Sequence, residues 1–112
     1  MSPDEAAILD VYRFGRLALS FVADMEWSAF AADAKTQQAS LHALTLMGEA
    51  VKRLSAEFRE RYPDVNWADI AGMRDVFVHA YHRVELHEVW EILTRHLPGL
   101  LDYIEPLVPR EE

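Results

Sequence analysis

No cysteine occurs in this sequence, and only four of its 112 residues are glycine. The first absence removes disulfides, thiolate nucleophiles and cysteine-type zinc sites together, and it suits a reducing compartment. The second, in a chain that is 51% hydrophobic, excludes a disordered or low-complexity protein. Long apolar runs are missing too. Near the N-terminus the most apolar stretch, Leu17 to Val22, is flanked by Arg16 and Asp24, and Met1-Ser2-Pro3-Asp4-Glu5 is acidic where a secretory signal is basic. Neither export nor a membrane span is expected, and the cytoplasm is the expected location. Positive charge is scarce: 11 Lys and Arg stand against 19 Asp and Glu, for a net charge of −8. A chain of this kind does not coat nucleic acid through a broad basic surface, so any RNA contact has to be local.

What remains is helical patterning over a length that holds one domain, residues 1–112. Residues 5 to 23 are apolar on most faces, as in a helix buried between neighbours, and Trp27 to Ala32 allow a short second helix. Leu41, Leu44, Gly48, Val51, Ser55 and Phe58 recur at three- and four-residue spacing, which predicts one long amphipathic helix from about 35 to 61. Tyr62-Pro63-Asp64-Val65-Asn66 breaks the pattern. After it Asn66 can cap, Asp69 stands at the third helical position, and Val65 with Ile70 forms a hydrophobic staple, so a helix starts at Trp67 and runs to about Tyr81. A last apolar series from Leu86 to Ile104 predicts a helix from near Glu85 that Pro98 kinks or splits. The expectation is an all-α, up-and-down bundle of four to five helices.

Charge is unevenly placed. Lys52, Arg53, Arg59 and Arg61 form one basic stretch and Arg74 and Arg83 another, whereas residues 85 to 112 carry seven acidic residues against Arg95 and Arg110. The basic stretch is more often a solvated helix face than an RNA track. His79, His82 and His87 lack further ligands at helical spacing, so no metal or other cofactor is expected.

The segment that stands out is Arg74-Asp75-Val76-Phe77-Val78-His79-Ala80-Tyr81, followed by His82 and Arg83. Arg74 can hold two phosphate oxygens while staying charged, and His79 is of the type that transfers protons near neutral pH. RNA supplies its own nucleophile, the 2′-hydroxyl, so a base, an acid and positive charge are enough to cleave it. On a continuous helix the two positions lie about 140° apart, which calls either for a helix end near His79 or for a second copy of the chain. Taken alone, His79 would be an ordinary helix histidine and Arg74 a solvated or salt-bridged residue, paired with Asp75 or Glu49.

The same segment resembles the signature of HepT-like proteins of the HEPN superfamily: Arg, four residues, His, one residue, Tyr. Leu46-Met47-Gly48-Glu49-Ala50, Tyr62-Pro63-Asp64, Trp67, Ile70-Ala71-Gly72-Met73 and Val89-Trp90-Glu91-Ile92 resemble family stretches in the same order. Many relatives carry Asn where this chain has Asp75 and Asp where it has Glu85. The resemblance implies a HEPN-type bundle and a metal-independent endoribonuclease toxin. It places Arg74 and His79 in a cleft of a homodimer, with Asp75, Glu49, His82 and Arg83 in support. It also implies inhibition by a nucleotidyltransferase antitoxin of the minimal (MNT) type, with Tyr81 as the matching acceptor of AMP. A catalytically silent HEPN module that binds a nucleotide or a protein is the alternative.

Overall fold

The computed structural model describes residues 1–79 and 85–110, and for Val78 and His79 the backbone alone. Every regular element among them is helical, as expected. Helix α1, Pro3–Phe21, starts at a reciprocal cap in which the Glu5 N–H donates to Ser2 Oγ and the Ser2 N–H donates to Glu5 Oε1. It ends in a turn at Asp24, whose φ of 62° is in the left-handed region, where a short polar side chain is better tolerated than most. Helix α2, Trp27–Ala31, is one and a half turns long. Gln37 Nε2 donates to the Phe30 and Ala31 carbonyls at its end. Asp33 then caps helix α3, Ala34–Lys52, by accepting from the Thr36 N–H at 3.1 Å.

The long helix expected over 35 to 61 is two helices, α3 and α4 (Ala56–Arg61). Ser55, which looked like one more small residue on the apolar stripe, has extended backbone and caps α4 by accepting from the Phe58 N–H. Its own N–H and hydroxyl donate to the two carboxylate oxygens of Asp4, at 2.7 and 2.6 Å. These bonds hold the Asp4 carboxyl below its ordinary value. A contact across 51 residues therefore ties down the junction between α3 and α4. Because the start of α1 meets the end of α3, the two helices run antiparallel.

Helix α5, Trp67–His79, begins as expected: the Asp69 N–H donates to Asn66 Oδ1, and Asn66 Nδ2 donates to Asp69 Oδ2. Trp67 is buried and gives its indole N–H to the Tyr62 carbonyl at 2.9 Å. After position 85 come helix α6, Leu86–Glu91, a π turn at Ile92–His96, helix α7, Leu97–Ile104, and a short 3₁₀ turn at Glu105–Leu107. The backbone stays helical through the proline, and a π turn directly precedes it: the Leu97 N–H reaches back to the Ile92 carbonyl.

Helix α3 is the centre of the bundle, packed on α1 on one side and α5 on the other. Its buried face is Leu41, Ala43, Leu44, Met47, Ala50 and Val51, which meet Ile8, Val11 and Ala18 of α1 and Leu93, Leu97 and Leu101 in one core. Each large apolar side chain so buried contributes roughly 1.5–3 kcal/mol. The α3–α5 contact is tight at Gly48. A Cβ there would lie 2.8 Å from the Ile70 carbonyl oxygen and 2.9 Å from Arg74 Cβ. Gly72 of α5 has nothing within 4 Å of the equivalent position.

The two glycines give opposite expectations. Gly48→Ala forces backbone apart and costs about 1–3 kcal/mol, more than the helix-propensity gain of up to about 1 kcal/mol. Gly72→Ala keeps that gain. Thermal unfolding should show a lower Tm for the first variant and an equal or higher one for the second; the reverse order would refute the close crossing at Gly48.

Candidate functional site

The glycine crossing brings the outer edges of α3 and α5 together, and four charged side chains meet there. Arg74 Nε donates to Glu49 Oε1 at 2.6 Å, and Arg74 Nη1 to Asp75 Oδ1 at 3.3 Å. Lys52 Nζ, from the last residue of α3, donates to the same Asp75 oxygen at 2.7 Å. The side chains are 27% exposed for Arg74, 49% for Glu49, 52% for Asp75 and 40% for Lys52. Pairs as open to water as these contribute mostly orientation and little stability. Glu49 and then Asp75 raise the Arg74 guanidinium above its ordinary value, so it stays charged. Lys52 first, and Arg74 in addition, hold the Asp75 carboxyl below its ordinary value of 3.8.

The sequence singled out Arg74, Asp75 and Glu49, and the structure places all three in this network. Lys52 was read only as part of a basic stretch; the signal for its position is Gly48, four residues earlier, which sets the approach of α3 to α5. That stretch is not a row of free cations. Arg53 pairs with Asp10, and Arg59 donates to the Val51 carbonyl. Helix α5 keeps its α-helical backbone through His79, whose side chain lies outside the described residues, as do Tyr81, His82 and Arg83 altogether. Among the described residues no three His, Asp or Glu side chains gather in a way that could hold a metal ion, and no helix is long and apolar enough to cross a membrane.

A cavity of about 610 Å³ opens elsewhere, between the turn before α5, the face of α5 that carries Ile70 and Met73, and the π turn with α7. Its walls are mainly apolar, with Asp64 and Asp69 among the polar groups, and neither Arg74 nor Asp75 lines it. A surface without a permanent cation and with two carboxylates does not receive a phosphate. The charged edge at Arg74 is the candidate site.

A family model described as ribonuclease HepT-like matches residues 14–107. The chain is 32% identical over 103 residues to a protein of Methanocaldococcus jannaschii provisionally named an RNase, covering 92% of this chain and 85% of the relative. It is 34% identical over 91 residues to another provisionally named RNase, of Caldanaerobacter subterraneus, covering 81% of each. With a protein of Thermococcus cleftensis provisionally named ribonuclease HepT it shares 32% identity over 98 residues, 88% of this chain and 89% of the relative. No solved structure gives a significant match.

The network makes a direct expectation. Since the folded-state value of Asp75 is depressed, its share of the ion pairing is complete above the ordinary carboxylate value and is lost as pH falls through the lower one. A carboxyl-detected NMR titration should place the Asp75 midpoint below 3.8, and Lys52→Met should move it upward. An unchanged midpoint in the variant would show that Lys52 does not hold Asp75.

Proposed function

The chain belongs to the HepT-like ribonuclease family, and from that premise we propose that it is a cytoplasmic toxin, one HEPN domain over residues 1–112, that cleaves RNA without a metal ion. The observation that carries this reading is Arg74, held part-exposed at the rim of the α3–α5 crossing on a helix that continues to His79. In the reaction a base takes the 2′-hydroxyl proton, the 2′-oxygen attacks phosphorus, and an acid protonates the departing 5′-oxygen. The products are a 2′,3′-cyclic phosphate and a 5′-hydroxyl. Arg74 neutralises the phosphorane oxygens, and His79 carries protons.

Five steps along unbroken helix set positions 74 and 79 about 140° apart. That separation supports a shared site, in which a twofold axis sets Arg74 of one copy beside His79 of the other and provides a second His79 as acid. Glu49 orients Arg74, and His82 and Arg83 support the site from the following segment. A silent nucleotide- or protein-binding module is the competing reading, favoured by the two carboxylates on Arg74.

Purified protein incubated with RNA in EDTA should yield 2′,3′-cyclic ends, and Arg74→Ala or His79→Ala should each lower the rate by about 100-fold or more. Mixing the two variants should restore part of the activity through mixed dimers. Cleavage that needs a divalent ion, or that His79→Ala leaves intact, would overturn the assignment. No cleavage by the wild-type protein, with retained binding to a nucleotide or protein, would select the silent module.

Control by an MNT-type nucleotidyltransferase would act at the same place. Attack of the Tyr81 hydroxyl on the α-phosphorus of ATP expels pyrophosphate and leaves AMP on the tyrosine, two residues from His79. A bulky anion there excludes the RNA phosphate by charge and by volume. After co-expression with an MNT-type nucleotidyltransferase, intact mass should show AMP units on the wild-type chain and none on Tyr81→Phe. The same increment on both would rule out Tyr81 as the acceptor and leave inhibition to binding.

A further inference from the structure

One oxygen of Asp75 is shared by two cations from different helices, Lys52 Nζ at 2.7 Å and Arg74 Nη1 at 3.3 Å. That arrangement is a site for an anionic oxygen, and the anion in it belongs to the protein itself. A phosphate oxygen has the same hydrogen-bonding capacity as a carboxylate oxygen and carries comparable charge. Asp75 is more than half exposed, so its carboxylate can rotate into water, and exposed ion pairs of this kind hold weakly. Lys52 stands at the C-terminal end of α3, where the helix dipole favours a cation, and it reaches across to α5 while its neighbour Arg53 turns to Asp10.

We propose that Lys52 and Arg74 form a two-cation clamp for an RNA phosphate, that Asp75 occupies the clamp when no RNA is bound, and that RNA enters by taking the place of the Asp75 carboxylate. The clamp rests on the ribonuclease reading for the identity of its ligand and adds to it a binding residue, Lys52, outside the motif. Glu49 keeps its own bond to Arg74 Nε during the exchange, so the guanidinium stays aimed while its Nη1 changes partner. The acidic residue beside the motif arginine then sets a threshold: a single small anion competes poorly with a tethered carboxylate, whereas a polyanion gains from several contacts at once.

The test is binding of a 2′-O-methyl RNA dodecamer, which lacks the nucleophile, to the full chain by fluorescence anisotropy. Asp75→Asn should bind about two- to fivefold tighter than the wild type. Adding Lys52→Met should abolish that gain and flatten the dependence of log K on log salt by about 0.7. Lys52→Arg should keep it. A purely structural role predicts the opposite sign, because Asp75→Asn would loosen α3 from α5 and weaken binding. Asp75→Ser repeats the measurement with a second side chain, and thermal melting verifies that each variant is folded. Binding no tighter in Asp75→Asn and Asp75→Ser, a gain that survives Lys52→Met, or no binding by any variant would overturn the clamp. Cleavage of ordinary RNA by the wild type without the gain removes the clamp and leaves the ribonuclease reading. The gain without cleavage does the reverse.

Discussion

Between α3 and α5 there is room for a hydrogen atom and not for a methyl group. The Ile70 carbonyl and the backbone of Arg74 lie so close to Gly48 that any side chain there would move one helix off the other. This single approach fixes both edges of α5. On one edge it puts Arg74 and Asp75 within hydrogen-bond reach of Glu49 and Lys52. On the other it turns Ile70 and Met73 towards Met47 and α7, where they wall the apolar cavity. Separating the helices by the width of a methyl would lengthen every one of these contacts together.

A chain of net charge −8 has to solve an electrostatic problem if it is to take up RNA as proposed, and the ion pairs indicate how. Its cations around the α3–α4 junction are engaged with partners inside the fold: Lys52 with Asp75, Arg53 with Asp10, and Arg59 with a backbone carbonyl. The charges of Lys52 and Arg53 are largely offset at a distance by their carboxylate partners, and salt screens what remains beyond a Debye length of about 8–10 Å. Long-range attraction to nucleic acid is consequently small, and affinity depends on geometry at close range. That balance favours a narrow cleft over an extended track.

How much of this was legible in the sequence depended on how local its cause is. The start of α5 was readable because Asn66, Asp69, Val65 and Ile70 lie within a few residues of one another. The break after Lys52 was not, because Ser55 fits an apolar stripe and its partner Asp4 lies 51 positions away. Gly48 likewise looked like one small residue in a helical face, with nothing to announce the carbonyl beside it. Arg74, Glu49 and Asp75 were found through the motif and its neighbours, whereas Lys52 became visible only once the two helices were set side by side. Tyr81, His82 and Arg83, and the side chain of His79, lie outside the described residues, so their part of the site rests on the sequence.

The π turn has a consequence for helical phase. Val89, Leu93, Leu97 and Leu101 are all buried, at a spacing of four residues each time. On an α-helix every such step overshoots a full turn by about 40°, so Leu101 would stand about 120° round the axis from Val89 and face away from the core. The turn at Ile92–His96 bonds five residues back, winds less per residue, and takes up much of the excess. One additional residue is in effect stored in the middle of the segment, and the helices on either side keep the same face inward because of it. A repeat of four that runs too long for an α-helix is thus itself a record of underwinding, written in the apolar residues on both sides of the proline.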